Sequence, residues 1–473
     1  MAVEAGYQHG VSITELSTQL VPTISVSTPP VVVGTALRGT VNQPVLVTSM
    51  SDYVAEFGWS GDFDDFTLEE VAYCFFSLYN VSPFIAINVL DISRHCKNKT
   101  AELSGTANPF TITGAMILST LTVKSGTNNL VLDRDYSVEQ SGLTTTLTVL
   151  KQTNIVNDTI NLTYKEVDAA QVTKADIIGG IDANDNEMGI DVIEKVYPRL
   201  GLIPGTLIVP KWSQDSEVAQ IMASKVVGIN GCFKSAAVCD IPTSTIKKYS
   251  DCYNHKSRNN LVDENLFVCW PKVALGERQY YLSTHLAALM ALVDNENNDG
   301  IPFESPSNNG LKMDKACLAD GTQVDLSKLK ANTLNGYGIV TSLNFAGAWR
   351  SWGSRTSIYP TSPDPKDAWI PCRRMFSWIG NTLVTTFFYK IDRPINKRLV
   401  QSIVDSAQIW LNGLVARGAL LGGKIQFREV DNTITELADG IIRFYLSLCP
   451  PTPARVINFK LEFDTKYFEE LFS

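Results

Sequence analysis

The chain is poor in charge and has no paired cysteines. Its nine cysteines are an odd number, they are scattered, and none forms a Cys-x-x-Cys pair. Most of them sit inside apolar strings, so buried free thiols in a reducing cytosol are the expected state. Charged residues make up only 19% of the chain, which fits a folded protein that buries much of its surface against partners.

Long apolar runs and basic stripes are missing as well. No run approaches the roughly 20 apolar residues that a membrane helix requires. No N-terminal segment combines a basic start, an apolar middle and a small-residue cleavage site, so neither membrane insertion nor a signal peptide is expected. The net charge of −9 and the lack of a dense Lys/Arg stripe argue against nucleic acid as the main ligand.

Patterns typical of catalytic and metal sites are few. The segment 182–193 starts like a calcium loop, but Glu187 stands where glycine is needed and Ile193 where the closing glutamate belongs. No Gly-x-Ser-x-Gly elbow and no Walker loop is present. We therefore predict no catalytic residue, no cofactor and no metal site. The four histidines stand singly, without metal-ligand spacing: His9, His95, His255 and His285.

Both ends of the chain do carry alternating apolar and polar residues. Gly10–Leu16 alternates with one slip, and Arg455–Asp464 alternates strictly, which is the pattern of a half-buried strand. Terminal segments are normally disordered unless they are tied down. Strands at both ends are therefore best used by docking on a sheet of this chain or of another copy. The side chains predicted to make these contacts are Val11, Ile13, Leu16, Ile457, Phe459, Leu461 and Phe463.

The interior of the chain divides by pattern. At 473 residues the chain is too long for one compact core, and we predict an α/β (α+β) multidomain fold. Strands and helices alternate on both sides of a Thr-rich all-β block. Two helices, Met375–Tyr389 and Lys397–Arg417, are predicted to precede two strands around Ile425–Val430 and Ile441–Leu448. The predicted segments are an N-terminal arm, a first part of the body, an inserted β-domain, an α/β middle domain, a C-terminal core domain and a C-terminal strand arm: 1–22, 23–98, 99–170, 171–360, 361–450 and 451–473.

One helix start has a recognisable signature. Thr67 and Glu70 have the spacing of a capping box, in which the first side chain and the last satisfy each other's backbone amides. The residues that follow place Leu68, Val71 and Phe75 on one face. The pattern predicts a helix over 67–79 with that face in the core.

Several strings, in the same order over nearly the whole chain, resemble contractile tail sheath proteins. Serine stands at Ser354 where that family often has asparagine, and the β block at 100–167 is matched least. The strings that carry the resemblance include Gly10–Glu15, Val33–Val47, Ile178–Gly180, Pro204–Pro210, Val238–Pro242, Cys269–Pro271, Trp352–Thr356, Ile370–Met375, Gly418–Gly423 and Asp439–Gly440.

The resemblance implies the outer cylinder of a phage tail, or of a tail-derived bacteriocin or injection particle. In that family, stacked six-membered rings of one subunit surround an inner tube and contract to drive it through a target cell envelope. The body combines N- and C-terminal portions, further domains lie outside, and terminal arms add strands to neighbouring subunits. The implied partners are further copies of the chain, the tube protein, and the baseplate and tail terminator proteins, with assembly in the bacterial cytoplasm.

The surface that faces the tube is less certain from sequence. The helix Lys397–Arg417 is the candidate, since Lys397, Arg398 and Arg417 can meet acidic residues on the tube. The alternative is that they are solvated charges at the helix ends, and the sequence favours neither.

Two other functions stay open at this point. The first is a soluble α/β enzyme with an inserted β-domain and a site too dispersed to recognise. The second is a surface adhesin, supported by the Thr-rich block and opposed by the missing export signal.

Overall fold

The structure is a computed structural model that describes residues 28–105, 108–156, 158–297 and 300–472, with the backbone alone at 469–472. The predicted N-terminal contact residues Val11, Ile13 and Leu16 lie outside the described residues. Helices α1–α12 are Met50–Phe57, Thr67–Ala72, Lys174–Ile178, Val196–Leu200, Ser216–Lys225, Tyr249–Arg258, Leu282–Glu296, Lys328–Gly336, Pro365–Ala368, Ile370–Phe387, Lys397–Ala416 and Ile434–Ala438.

Strands alternate with these helices in two regions of the chain and form a continuous run between them. Strands β1–β24 are Val31–Gly34, Pro44–Val47, Phe84–Asn88, Cys96–Ser104, Phe110–Thr113, Met116–Ser125, Asn128–Asn129, Tyr136–Ser141, Thr144–Val149, Thr159–Val167, Gly180–Ile181, Glu187–Met188, Thr206–Ile208, Val227–Ile229, Phe233–Lys234, Ala236–Asp240, Leu266–Cys269, Lys272–Leu275, Arg278–Tyr280, Lys315–Cys317, Ile339–Phe345, Ala348–Trp352, Gly422–Gln426 and Tyr445–Cys449.

An eight-stranded sheet forms the centre of the molecule. Its strand order is β2-β3-β1-β13-β16-β17-β21-β22. The six strands from β3 to β21 run parallel, and an antiparallel strand closes each edge. Every residue of β1, β3, β16 and β17 is buried, as expected for parallel strands covered on both faces.

Helices cover this sheet and complete the core. Helix α7 contacts β13, β16 and β17, and its first nine residues are all buried. Helix α2 contacts β1 and continues as a π-helix over Tyr73–Tyr79, which packs on α7. The sheet takes strands from both 23–98 and 171–360, so these two segments share one hydrophobic core.

The capping box predicted for α2 is wrong. Phe66 is the N-cap residue and makes no side-chain cap. Thr67 instead exchanges hydrogen bonds with Thr35, next to β1 (Thr35 N to Thr67 Oγ1, 3.2 Å). The Glu70 carboxylate is buried and accepts a hydrogen bond from the Tyr281 amide at 2.8 Å. Long-range contacts have replaced the local reciprocal pair, because both residues lie inside the core.

An all-β domain is inserted between β3 and α3. Strands β4-β10-β6-β7 and β5-β9-β8 form two antiparallel sheets around a core of their own that includes Val123, Leu147 and Leu162. The chain enters and leaves through neighbouring strands, since Cys96 of β4 is paired with Val167 of β10. A domain joined by two adjacent strands can be added to the body without disturbing the body's sheet.

The C-terminal segment has a third core. Helices α10 and α11 pack together through Met375, Ile379, Ala407 and Leu411, and strands β23 and β24 cover the same cluster. Trp378 and Trp410 contribute adjacent rings with centroids 5.8 Å apart. The mixed α/β multidomain fold predicted from the sequence is confirmed.

Two buried arginines fasten α10 to the central body. Arg374 makes an ion pair with Asp294 of α7 (Nη1 to Oδ1, 3.1 Å). Arg373 donates from Nε to Asn265 Oδ1 at 2.9 Å, just before β17. Buried guanidinium groups need such partners, because an unpaired charge in the interior is costly.

Candidate assembly surfaces

The C-terminal arm, residues 453–468, lies on the outside of the subunit. Ile457, Phe459, Leu461 and Phe463 are 71%, 85%, 96% and 79% exposed. Residues 453–463 make no hydrogen bond to the rest of the described chain. A row of large apolar side chains this exposed is a surface that the subunit alone does not cover.

The arm is not a strand in the single subunit, although its residues alternate as a strand requires. A strand exists only through hydrogen bonds to a neighbouring strand, and the described residues of the subunit offer the arm no such neighbour. The alternating apolar and polar residues of the arm therefore indicate a segment that becomes a strand only when another chain supplies the neighbouring strand. The structure places the four predicted arm residues together in one exposed segment.

A two-stranded sheet lies beside the base of the arm. Strands β23 and β24 pair antiparallel from Gly422↔Cys449 to Gln426↔Tyr445, and the described chain adds no third strand. On the outer edge of β23 the Gln408 side chain of α11 already bonds the Gly423 carbonyl (3.0 Å) and the Ile425 amide (3.1 Å). Within the described residues the outer edge of β24 has no such partner, and an open strand edge is the feature that accepts an added strand. The chain leaves β24 at Cys449 and passes directly into the arm.

The structure separates the three basic residues proposed to meet a tube. Lys397 and Arg398 are exposed in the first turn of α11, and Arg417 is its C-cap residue. A helix of 20 residues spans about 30 Å, so the two ends cannot form one patch. Cations are stabilised at a helix C-terminus and destabilised at its N-terminus. The helix dipole therefore favours the charge of Arg417 at its C-terminus, but it disfavours the charges of Lys397 and Arg398 at its N-terminus.

The turn between α10 and α11 carries a surface that the sequence analysis missed. We call residues 388–398 the hairpin tip. Phe388, Tyr389, Ile391 and Ile395 are 69%, 45%, 60% and 40% exposed. Lys390, Arg393, Lys397 and Arg398 add four positive charges against one carboxylate, Asp392. The sequence signal for this surface was the presence of large apolar residues around Pro394 and Asn396, since a turn normally lacks such side chains.

Buried carboxyl groups meet at the start of α7. Glu70 accepts from the Tyr281 amide, and Asp240 accepts from the Ser283 amide at 3.0 Å and from its hydroxyl. Burial raises the pKa of Glu70 to about 8 and that of Asp240 to about 6. Lys272 lies 4.3 Å from the Tyr281 ring centroid. These groups join α2, β16 and α7 inside the core.

His285 and most of the cysteines are buried within the core of the subunit. His285 is fully buried and its Nδ1 lies 3.0 Å from the Tyr79 hydroxyl. All nine cysteines are free, and six of them are buried. Within the described residues, no group of three or more His, Cys, Asp or Glu side chains is placed to hold a metal ion. The same part of the chain contains no helix long and apolar enough to cross a membrane.

The fold is that of contractile sheaths. A sheath complex of the extracellular contractile injection system PVC, in its contracted state, superposes with a TM-score of 0.58 at 14% identity. The match covers 98% of this chain and all of that one. The inserted domain, the central sheet and the C-terminal hairpin therefore all fall within the matched region.

Proteins similar in sequence are also tail sheath proteins. The tail sheath protein of Burkholderia phage BcepMu is 27% identical over 499 residues, covering 98% of both chains. A putative prophage major tail sheath protein of Pseudomonas aeruginosa UCBPP-PA14 is 25% identical over 64% of this chain and 77% of that one. No family model matches the sequence. The resemblance predicted from the sequence is confirmed: over nearly its whole length this chain is similar to curated proteins named tail sheath proteins and to solved contractile sheaths.

Proposed function

We propose that this chain is a tail sheath subunit that polymerises into a helical cylinder around an inner tube and contracts to drive that tube through a target cell envelope. Its role is structural and mechanical, and it has no catalytic step. Full-length similarity to sheath proteins supports the class. The single observation that carries the assembly mode is the exposed apolar row of the C-terminal arm beside an open two-stranded sheet.

The arm of one subunit adds a strand to the β23–β24 sheet of another. About eight residues in such a strand form roughly four to six main-chain hydrogen bonds, each worth about 0.5–1.5 kcal/mol net. Burial of the four apolar side chains adds about 1.5–3 kcal/mol each. Ordering the arm costs about 1–2 kcal/mol per residue, so one arm is a modest tether. Strength comes from many such contacts in a closed lattice.

The N-terminal segment 1–22 is proposed to act in the same way on the β23 edge of another subunit, where it would displace the Gln408 side chain. Two edges and two arms allow each subunit to be linked to different neighbours. Head-to-tail contacts between unlike surfaces generate helical arrays, and the array proposed for this chain is a stack of six-membered rings. Rigid bodies joined by flexible arms can rotate from an extended to a contracted packing while the arms stay paired.

The hairpin tip is proposed to hold the tube. Its positive charge is opposite to that of the chain as a whole, and α11 is not stabilised by carrying Lys397 and Arg398 in its first turn. A tube surface with acidic residues would supply the missing counter-charge. Further partners of the cylinder are the baseplate and tail terminator proteins, and its place is the tail of a virion or tail-like particle assembled in the bacterial cytoplasm.

Negative-stain microscopy of the purified chain tests this function. We expect hollow cylinders at high protein concentration. Uniform monomers under all assembly conditions would instead favour the soluble α/β enzyme.

A further inference from the structure

A polar groove lies at the base of the arm. Its volume is about 540 Å³, and one wall is the arm itself, at Pro453–Val456. The other walls come from Trp352–Arg355, Tyr359 and Trp369, which include most of the Trp-Gly-Ser-Arg-Thr string that the fold alone leaves unexplained. We call this cavity the arm-root groove.

Its floor is held rigidly by hydrogen bonds. Ser305 Oγ donates to Ser354 Oγ at 2.7 Å, and the Gly353 amide donates to Ser307 Oγ at 2.9 Å. The Ile370 amide donates to the Ser354 carbonyl at 3.0 Å. A preformed site loses little conformational entropy when a ligand enters.

Arg355 is the unusual residue of the groove. Its guanidinium lies between two aromatic rings, 3.5 Å from the Trp369 centroid and 4.3 Å from that of Tyr359. Among the described residues it has no hydrogen-bond or ion-pair partner. Burial lowers the pKa of Arg355, and the charge of Arg455 acts in the same direction. Its planar donors are therefore oriented by stacking and left without an acceptor.

The lining of the groove has positive charge only. Arg455 is exposed on the arm wall, and no Asp or Glu is among the described residues that line the cavity. Two arginines that repel each other in the free subunit would both gain from one shared carboxylate. Arginine binds carboxylates through parallel hydrogen bonds, which are among the strongest polar contacts in proteins.

A second copy of this chain has a segment of matching charge. Residues 462–470, the acidic tip, contain Glu462, Asp464, Glu469 and Glu470 against one lysine, Lys466. Glu462 and Asp464 are exposed. The chain leaves β24 at Cys449, which is paired with Gly422 of β23, and it forms one wall of the groove from Pro453 onwards. An arm that adds to the open edge of β24, parallel to that strand, ends at the Cys449 side of the sheet, and this brings its tip towards the groove.

We propose that the arm-root groove binds the acidic tip of a neighbouring copy, with Arg355 and Arg455 as the carboxylate receptors. This inference rests on the proposed strand exchange and adds a second contact that fixes the direction and register of the arm. An anchored tip would also strengthen a strand contact that is modest by itself.

Photo-crosslinking in the full-length chain tests the contact. p-Benzoylphenylalanine replaces Phe468, an aromatic residue that is 55% exposed, and isotope-labelled and unlabelled copies are assembled together. We expect crosslinks between copies that map to 305–308 or 352–369. The charge-removing pair Arg355→Gln and Arg455→Gln should lower the crosslink yield about tenfold. Arg258→Gln, an exposed arginine on α6, is the matched control and should leave the yield unchanged.

A charge exchange separates binding from a purely structural role of Arg355. Arg455→Glu should lower the yield, Glu469→Lys with Glu470→Lys should lower it too, and the three changes together should restore it. Crosslinks elsewhere, crosslinks within one copy, or no effect of the arginine changes would overturn the proposal. So would crosslinks to the groove from the same probe at Tyr7, which would make the N-terminal segment the occupant. If no cylinders form at all, the proposed function fails; if cylinders form without these crosslinks, only the groove proposal fails.

Discussion

At the scale of single residues, Glu70 shows how burial changes the role of a familiar motif. The sequence places it at the last position of a capping box, where it would be exposed at a helix start. In the structure it is 1% exposed and holds the Tyr281 amide of α7. Nothing local distinguishes the two roles, because the partner lies 211 positions away in the chain.

Glu70 gives a pH-dependent stability that can be measured. Its pKa is about 8 in the folded chain and 4.5 ordinarily, so its contribution is complete below pH 4.5 and is lost as the pH rises towards 8. Glu70→Gln keeps the acceptor for Tyr281 and removes the titration. We expect the variant to be more stable than the natural chain at pH 8 by a few kcal/mol, and similar at pH 4.5.

Urea midpoints of the unassembled subunit at pH 4.5 and pH 8 check this expectation. Glu277→Gln, a change at an exposed turn, is the control. The natural chain should lose more stability from pH 4.5 to pH 8 than Glu70→Gln does. If both lose the same amount, the burial of a neutral carboxyl group at Glu70 is contradicted.

The apolar row of the arm predicts a separation of folding from assembly. Phe459 and Leu461 are 85% and 96% exposed, so Phe459→Ser with Leu461→Ser should leave the thermal midpoint of the free subunit unchanged. Each side chain buried in a neighbour contributes about 1.5–3 kcal/mol, so the concentration needed for assembly should rise at least tenfold. Sedimentation of polymer over a concentration series measures it.

The opposite face of the arm supplies the control for that variant. Asn458→Ser and Lys460→Ser alter neighbouring positions of the same segment without touching the apolar row. Assembly that is equally sensitive to both pairs, or insensitive to both, would show that the row is not the contact.

At the scale of elements, the sequence predicts most of the interior well and the surfaces poorly. The helix predicted over Lys397–Arg417 is Lys397–Ala416, and the one over Met375–Tyr389 is Ile370–Phe387. Their apolar stripes face their own core, so periodicity within the element contains the needed information. The strand predicted over 441–448 is shifted to Tyr445–Cys449, since the register depends on its pairing with β23 rather than on its own sequence.

The candidate sites depend on contacts that one chain does not contain. Alternation predicts the strand character of the arm but not its partner. The hairpin tip was missed because its apolar residues lie in a turn, outside any periodic pattern. The groove requires Trp352, Trp369 and Arg455 to meet in space, and no spacing in the sequence indicates that they do.

Reversing the two positive charges at the start of α11 tests the proposed contact with the tube. Lys397→Glu with Arg398→Glu places carboxylates at a helix N-terminus, which favours the helix by about 0.3–1 kcal/mol. The subunit should therefore fold at least as well, while loading of the cognate tube during co-expression should fall at least tenfold. Fractions of tube-filled and empty cylinders in electron micrographs give the readout.

Two exposed lysines of the inserted β-domain provide the matched control. Lys124→Glu with Lys151→Glu makes the same charge change on a surface far in the chain from the hairpin tip. Unchanged tube loading in the Lys397/Arg398 variant, or equal losses in both variants, would end the assignment of the tube contact.

At the scale of the whole molecule, the subunit is a rigid body with an added surface domain and exposed connections. Strands from 31–88 and from 206–352 form the eight-stranded sheet, and the ion pair of Arg374 with Asp294 joins the C-terminal hairpin to this body. The two-stranded sheet and the arm are the parts left incomplete. This division suits a polymer whose subunits rotate as units while their links stay in place.

The inserted domain is connected to the body through two adjacent strands, β4 and β10, which are paired at Cys96 and Val167. Most of its buried apolar residues form a core of their own, while Ala115 and Val167 join the core of the body. Its position on the outer surface of the cylinder remains a prediction from the resemblance, as does the six-membered ring.

Exchange of the C-terminal arm between copies is the central claim, and a cryo-electron microscopy map of the assembled cylinders tests it most directly. The account predicts that residues 455–464 form a strand on the edge of the β23–β24 sheet of a different subunit, with Phe459 and Leu461 buried. A map in which this segment folds back on its own subunit, with the neighbour's sheet edge empty, would contradict it.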